Sequence, residues 1–287
     1  MKPPRFDYHA PDTLDEALSL LAEHGYDAKV LAGGQSLVPA MNLRLAEPEV
    51  LVDINRISGL DGLAVEGDEL VVGALVRHKR FEHDSFGTSV ERLMVRIAPF
   101  VGHPPIRTRG TLAGSLAHAD PAAEWCALAV ALDARVCAVS SRGRRTIETS
   151  AFFDGAFSTA LEPDEIIAEV RFGLPGDCGV AFLEEARTAG DFATVAVVCA
   201  ARVTDGAFEW ARIAVAGAEG RPVRAAAAEE SLAGAPAAEA SIREAAGILA
   251  EGLRPLDDAQ ASGDYRRHLA SVLTARALQQ AAQETAA

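Results

Sequence analysis

KVLAGGQSLVPAMNLRL, residues 29–45, runs from an apolar segment through a Gly-Gly pair into amide and hydroxyl side chains, then turns apolar again. Ala28 to Ala32 reads as a short strand that stops at Gly33 and Gly34, with a short helical segment after it. Residues without Cβ at the end of a strand expose consecutive backbone N–H groups, and such a turn can cradle phosphate oxygens. The stretch lacks the Lys-Ser/Thr ending of a Walker loop and the spacing of G-x-G-x-x-G, so it matches neither nucleotide fingerprint. On these residues alone a tight structural turn and an anion cradle are both open.

Working outward, Thr13 with Glu16 three residues on makes a capping box. Leu14, Ala17, Leu18 and Leu21 recur at helical spacing, which predicts a helix over about 14–24. Val50 to Ile54 reads as a second strand. Leu63–Glu66 and Glu69–Val72 flank Gly67 and Asp68 as a hairpin. This early mixture of strand, helix and hairpin indicates an α+β chain rather than a parallel doubly wound sheet. IRTRGTLAGSLAHADPAAE, residues 106–124, again combines glycines (Gly110, Gly114) with hydroxyls (Thr111, Ser115) ahead of a helix read as capped by Asp120 with Pro121 at its first position. Two such loops would grip a pyrophosphate from opposite sides, so dinucleotide binding becomes the leading idea. Pro175 and Gly176 mark a domain boundary. Beyond them, strands at 193–203 and 210–216 form a hairpin about Asp205 and Gly206. An alanine-rich helical region and a last helix over about 264–282 follow, the latter with Leu269, Val272, Leu273 and Ala277 on one face.

Composition narrows the function classes. The formal charge of -14 repels phosphate backbones, so nucleic-acid binding is disfavoured. Cys126, Cys137, Cys178 and Cys199 are spaced too widely for a C-x-x-C metal site or an iron-sulfur run, and read as buried, reduced thiols. Any iron-sulfur centre would therefore sit on another polypeptide. No apolar run is long enough to span a membrane, and no basic-then-apolar leader opens the chain, which points to a cytoplasmic protein. His118 beside Asp120 reads as loop and cap, Asp53 and Asn55 as a strand-end turn, and Arg266 and Arg267 as solvated or at a subunit contact.

AGGQSL at 32–37, VDINRI at 52–57, residues 106–124 and ARTAGDFATVAV at 186–197 together resemble the FAD-binding medium subunit of molybdenum hydroxylases, the carbon monoxide dehydrogenase and xanthine dehydrogenase group. GDYRRHLASVLTARAL at 263–278 is similar to that group's carboxy-terminal flavoprotein domain. The resemblance implies a two-subdomain FAD-binding fold of the PCMH, or vanillyl-alcohol-oxidase-like, type over 1–176, divided near residue 57, then a smaller α+β domain over 177–287. It also implies a site. Ala32, Gly33, Gly34, Gln35 and Ser36 would form the first pyrophosphate loop, with Lys29, Val30 and Leu31 leading in and Leu37 following. Thr111, Leu112, Ala113, Gly114 and Ser115 would form the second. Glu124 would hydrogen-bond the adenosine part, Ile167 would pack on the cofactor, and Phe192 would lie near the isoalloxazine ring. Ala113 departs from the group's usual Gly-Gly pair and Thr108 from its usual Asn. An added methyl at 113 is tolerable at negative φ and harmful where the backbone must be left-handed.

The implied function is the electron-output subunit of a three-component hydroxylase. Two [2Fe-2S] clusters on a small subunit would feed the flavin, and a large molybdopterin subunit would oxidise substrate, in a dimer of heterotrimers. This chain would carry no catalytic side chain and no metal, since the flavin is the redox group. A self-sufficient flavin oxidase or dehydrogenase and a non-catalytic nucleotide-binding or assembly protein are the rival readings.

Overall fold

The capping box forms as its spacing predicts. Thr13 Oγ1 accepts the Glu16 N–H (3.3 Å), and the Glu16 carboxylate accepts the Thr13 N–H (3.3 Å). The computed structural model describes residues 2–285. Its first segment holds β1 (Asp7–His9), α1 (Leu14–His24), β2 (Ala28–Leu31), α2 (Leu37–Asn42) and β3 (Val50–Asp53). Both ladders of its sheet, ordered β1-β3-β2, are parallel, and a helix makes each crossover. Helix α1 buries Ala17, Leu18 and Leu21, the face its period selects.

The middle segment holds β4 (Leu63–Glu66), β5 (Glu69–Gly73), α3 (Ser89–Ile97), α4 (Pro104–Arg107), α5 (Leu112–His118) and α6 (Glu124–Ala131). It continues with β6 (Arg135–Ser140), β7 (Gly143–Glu148), β8 (Phe153–Gly155), β9 (Ser158–Thr159) and β10 (Ile166–Gly173). Five of these strands make an antiparallel sheet ordered β4-β5-β10-β6-β7. All eight residues of α6 are buried, so this helix is enclosed on every side rather than amphipathic.

The last segment holds β11 (Gly179–Glu185), β12 (Val195–Thr204), β13 (Ala207–Ala216), β14 (Val223–Arg224), α7 (Ala226–Leu232), α8 (Glu239–Gly252) and α9 (Gly263–Thr285). Its antiparallel sheet is buried on both faces, which is why VAVVCAA in β12 is continuously apolar. Alternate residues part cleanly. Ala196, Val198 and Ala200 join the core shared with α6 and the first two sheets, whereas Val195, Val197 and Cys199 join Leu273, Ala277 and Leu278 of α9. All four cysteines are free and buried.

Three expectations are corrected. The helix read from Asp120 begins instead at Glu124, with Ala123 as N-cap. The Asp120 carboxylate is spent on the Ala122 N–H (2.9 Å), closing an Asx-type turn ahead of the helix. The buried face of α9 is centred on Ala270, Leu273, Ala277 and Leu278, while Leu269 and Val272 are only partly buried. Arg266 is not solvated. It is 4% exposed and donates to the carbonyls of Thr194 (2.7 Å) and Gly217 (2.6 Å) and to Asp258 (2.6 Å).

Candidate cofactor site

The Gly-Gly turn follows directly from β2. The N–H groups of Gly33, Gly34, Gln35 and Ser36 donate to no acceptor among the described residues, although Gly33 is buried and its neighbours half-buried. A buried strand end normally satisfies its amides, and four consecutive backbone donors without a protein acceptor are what an anion cradle would offer. Only Gly34 has positive φ (72°), and it needs glycine for that reason. Gly33 needs it for space. A Cβ there would lie 2.5 Å from the Arg109 carbonyl oxygen and 2.6 Å from Gly110 Cα.

That contact answers where the second loop lies. Arg109 and Gly110 lead into Thr111, the N-cap of α5, whose hydroxyl accepts the Gly114 N–H (3.0 Å). The two turns therefore touch at their bases. Gly114 has a different reason from Gly33: a Cβ there would lie 2.8 Å from Thr111 Oγ1 and dislodge the cap. Ala113 sits in the first turn of α5, outside the positive-φ residues, with its methyl buried in the core. Its extra carbon is thus tolerated, and its N–H has no acceptor among the described residues.

The floor of the second turn is an aromatic stack. Trp125 Nε1 donates to His78 Nδ1 (3.0 Å), which leaves the imidazole proton on Nε2, and the rings stack at 5.9 Å. Burial, then the charges of Arg107 and Arg77, push the His78 pKa down to about 3, so this ring stays neutral. Its Nε2 edge lies against Gly110, where a Cβ would be 2.6 Å away, and its backbone N–H donates to the Gly110 carbonyl (2.9 Å). Sequence reasoning missed His78, and it read Asn55 as a turn. The Asn55 amide in fact donates to the Ala32 carbonyl (2.8 Å) at the base of the first turn. His78 belongs to no local motif, and Asn55, although it lies in the VDINRI stretch, makes its key bond 23 residues away, which that stretch does not encode.

The other candidates divide. Ile167 is buried in β10, against which α5 packs. Glu124, first residue of α6, is buried; that burial, reinforced by the charge of Asp120, pushes its pKa up to about 7. Glu184 on β11 is pushed up to about 8 by burial, with Glu124 adding repulsion, and its Oε2 has no hydrogen-bond partner among the described residues. Phe192 is 52% exposed on the loop after β11, and this loop presses Gly190 onto His103, a few residues ahead of the second turn. Lys29 and Val30 stand apart: their backbone pairs with β3, and the Lys29 side chain is exposed.

Two raised carboxyl pKa values fix a sign. Above pH 4.5 the unfolded chain has lost these protons while the folded chain keeps them, so their contribution to stability declines as pH rises towards about 8. The unfolding midpoint of the cofactor-free chain should fall by several degrees, at the ~4 °C per kcal/mol typical of such domains, between pH 6 and 8.5. Glu184→Gln should flatten that slope; an unchanged slope would contradict the burial of this carboxyl.

Comparison with known proteins gives this geometry its relatives. Residues 4–175 match the family described as FAD binding domain in molybdopterin dehydrogenase, and residues 180–281 match CO dehydrogenase flavoprotein C-terminal domain. The chain is 40% identical to caffeine dehydrogenase subunit beta of Pseudomonas sp. (strain CBB1), over 98% of this chain and 96% of that one. It is 34% identical to the carbon monoxide dehydrogenase medium chain of Hydrogenophaga pseudoflava, over 97% of each. Among solved structures, carbon monoxide dehydrogenase from Hydrogenophaga pseudoflava superposes with a TM-score of 0.95 at 36% identity, covering 98% of both chains. Quinoline 2-oxidoreductase from Pseudomonas putida 86 gives 0.94 at 36%, covering 99% of both. The chain belongs to the FAD-binding medium subunits of the molybdenum hydroxylases.

Proposed function

We propose that the turn at Ala32–Ser36 and the turn at Thr111–Ser115 hold the diphosphate of FAD between them, and that this chain delivers electrons from partner [2Fe-2S] clusters to an external acceptor. The observation that carries the reading is the run of four free amides at Gly33–Ser36, packed against the lead-in to the second turn. Backbone amides suit a diphosphate because they share its charge among several neutral dipoles that are already oriented. Bound there, FAD would supply the redox chemistry that connects single-electron donors with an outside acceptor.

The chain's own residues bind and orient. Leu31 and Leu37 flank the first turn, and Ile167 backs the second through α5. Glu124 offers a buried carboxyl for the adenosine hydroxyls, and Phe192 an exposed ring for the flavin. Seams near residues 57 and 176 would separate two cofactor-holding lobes from the carboxy-terminal domain. The substrate would be chosen on the large subunit, a reading supported by relatives named for caffeine, nicotine and carbon monoxide that each match this chain over 97% or more of its length. A small iron-sulfur subunit and a large molybdopterin subunit complete the assembly, which works in the cytoplasm. Among the described residues no helix is long and apolar enough to cross a membrane.

Purified alone with FAD, the chain should be yellow and should keep its flavin oxidised when offered carbon monoxide, aldehydes or N-heterocycles. Co-expression with the two partner subunits should make the flavin bleach on adding the complex's substrate. Bleaching of the single chain by a substrate would support a self-sufficient enzyme. A colourless chain that cannot be reconstituted would support a non-catalytic binding protein.

A further inference from the structure

Two side chains outside both glycine turns join them. Asn55, two residues past β3, donates its amide to the carbonyls of Ala32 (2.8 Å) and Leu31 (3.4 Å), the last residues before Gly33. Its Oδ1 accepts from one terminal nitrogen of Arg77, and the other terminal nitrogen of Arg77 donates to the Arg109 carbonyl. That carbonyl is the one Gly33 faces. The first turn is therefore held to the second by direct packing and by a staple of two side chains around it.

The staple is rooted at both ends. Asp53 accepts the Asn55 N–H (2.9 Å) and an Asn55 amide hydrogen, and Asp53 in turn accepts the Tyr8 hydroxyl (2.5 Å), which ties Asn55 to β3 and β1. On the far side, Arg77 and Thr111 form an isolated antiparallel bridge and His78 donates to Gly110, so the backbone at 77–78 already moves with the second turn. What the side chains add is the link to the first. Arginine is suited to this, because its planar fork reaches two acceptors in different directions, which a lysine ammonium on a flexible stem does not reproduce. Desolvation, opposed only in part by nearby acids, lowers the Arg77 pKa, and such a half-buried cation is a costly way to fill space unless its hydrogen bonds specify a geometry.

We propose that Arg77, held by Asn55, is a positioning residue that fixes the separation of the two glycine turns, so that both meet one diphosphate without rearrangement. This rests on the cofactor reading above and adds what sets the width of the cradle. Preorganisation of this kind raises affinity by removing the ordering cost at the moment of binding.

The test is a double-mutant cycle with Arg77→Ala and Asn55→Ala, reading the Kd for FAD by quenching of flavin fluorescence and the unfolding midpoint of each cofactor-free protein. Each single change should weaken FAD about tenfold, and the double variant should also lose about tenfold rather than about a hundredfold, because either change alone opens the staple. Multiplicative losses, or a loss confined to Arg77→Ala, would overturn the proposal in favour of Arg77 acting as a lone counter-charge. Arg77→Lys decides the same question with charge and length kept, and remains informative should the alanine variants fail to fold. It should bind FAD as weakly as Arg77→Ala, and wild-type affinity would overturn the staple. Failure of the wild-type chain to bind FAD would overturn the cofactor reading and this proposal together, whereas tight binding by wild type and by every variant would overturn the staple only.

Discussion

Gly33→Val should weaken FAD binding by about 100-fold or more, equivalent to about 2.8 kcal/mol, while circular dichroism keeps most of the native secondary structure. A branched side chain in this turn would fill space that the phosphates need. The structure gives a stronger cause. The new Cβ would meet the Arg109 carbonyl oxygen at 2.5 Å and Gly110 Cα at 2.6 Å, both backbone atoms that no rotamer change can move aside. The two turns must separate, and a diphosphate fitted to both can then reach only one. Gly114→Val acts by another route: it crowds Thr111 Oγ1 at 2.8 Å and uncaps α5, so it should weaken FAD less and lower the unfolding midpoint as well. Full flavin occupancy in Gly33→Val would remove the account of why the turns must touch.

Arg266→Met should cost about 3 kcal/mol of folding stability, read from urea unfolding of the cofactor-free chain. The guanidinium joins the Thr194 and Gly217 carbonyls to Asp258, and without it two main-chain acceptors and a carboxylate lose their donor at once. Gly217 has φ of 78° and stands where a Cβ would be 2.7 Å from the Thr194 carbonyl, so the neighbouring backbone has no room to close over the gap. Its N–H also donates to the Pro121 carbonyl (2.8 Å), which ties this corner to the segment ahead of α6. Arg266→Lys should rescue less than half of the loss, because the guanidinium serves the two carbonyls from one terminal nitrogen and Asp258 from the other, and a single ammonium cannot reproduce that fork. A change below about 1 kcal/mol in Arg266→Met, the range of an exposed ion pair, would mean that the arginine is solvated after all.

Local signals carried the local structure. The Thr13–Glu16 box and the Gly67–Asp68 hairpin each complete themselves within a few residues, so their spacing announces them. Where a side chain has two possible uses, the sequence is ambiguous. Asp120 is a good N-cap by type, but its carboxylate is taken by Ala122, and the helix waits until Glu124. Arg266 looks like a surface residue on a helix because its acceptors, at 194 and 217, are far away in the chain.

The candidate site divides along the same line. Gly33, Gly34 and Gly114 stand out by composition, and the family resemblance supplied Glu124, Ile167 and Phe192. Arg77 and His78 went unread, and Asn55 was read only as a strand-end turn. Their importance lies in bonds to carbonyls 23 to 32 residues distant, which no periodicity encodes. The reason for Gly33 itself was only half legible: a close approach was evident, but its nearest neighbour is the second turn rather than a ligand.

The most direct test is a crystal structure of the chain grown with FAD. The diphosphate oxygens should lie within about 3 Å of amide nitrogens from both turns, among Gly33–Ser36 on one side and in the first turn of α5 on the other. A diphosphate bound away from either turn, with the Gly33–Ser36 amides facing solvent, would contradict the account.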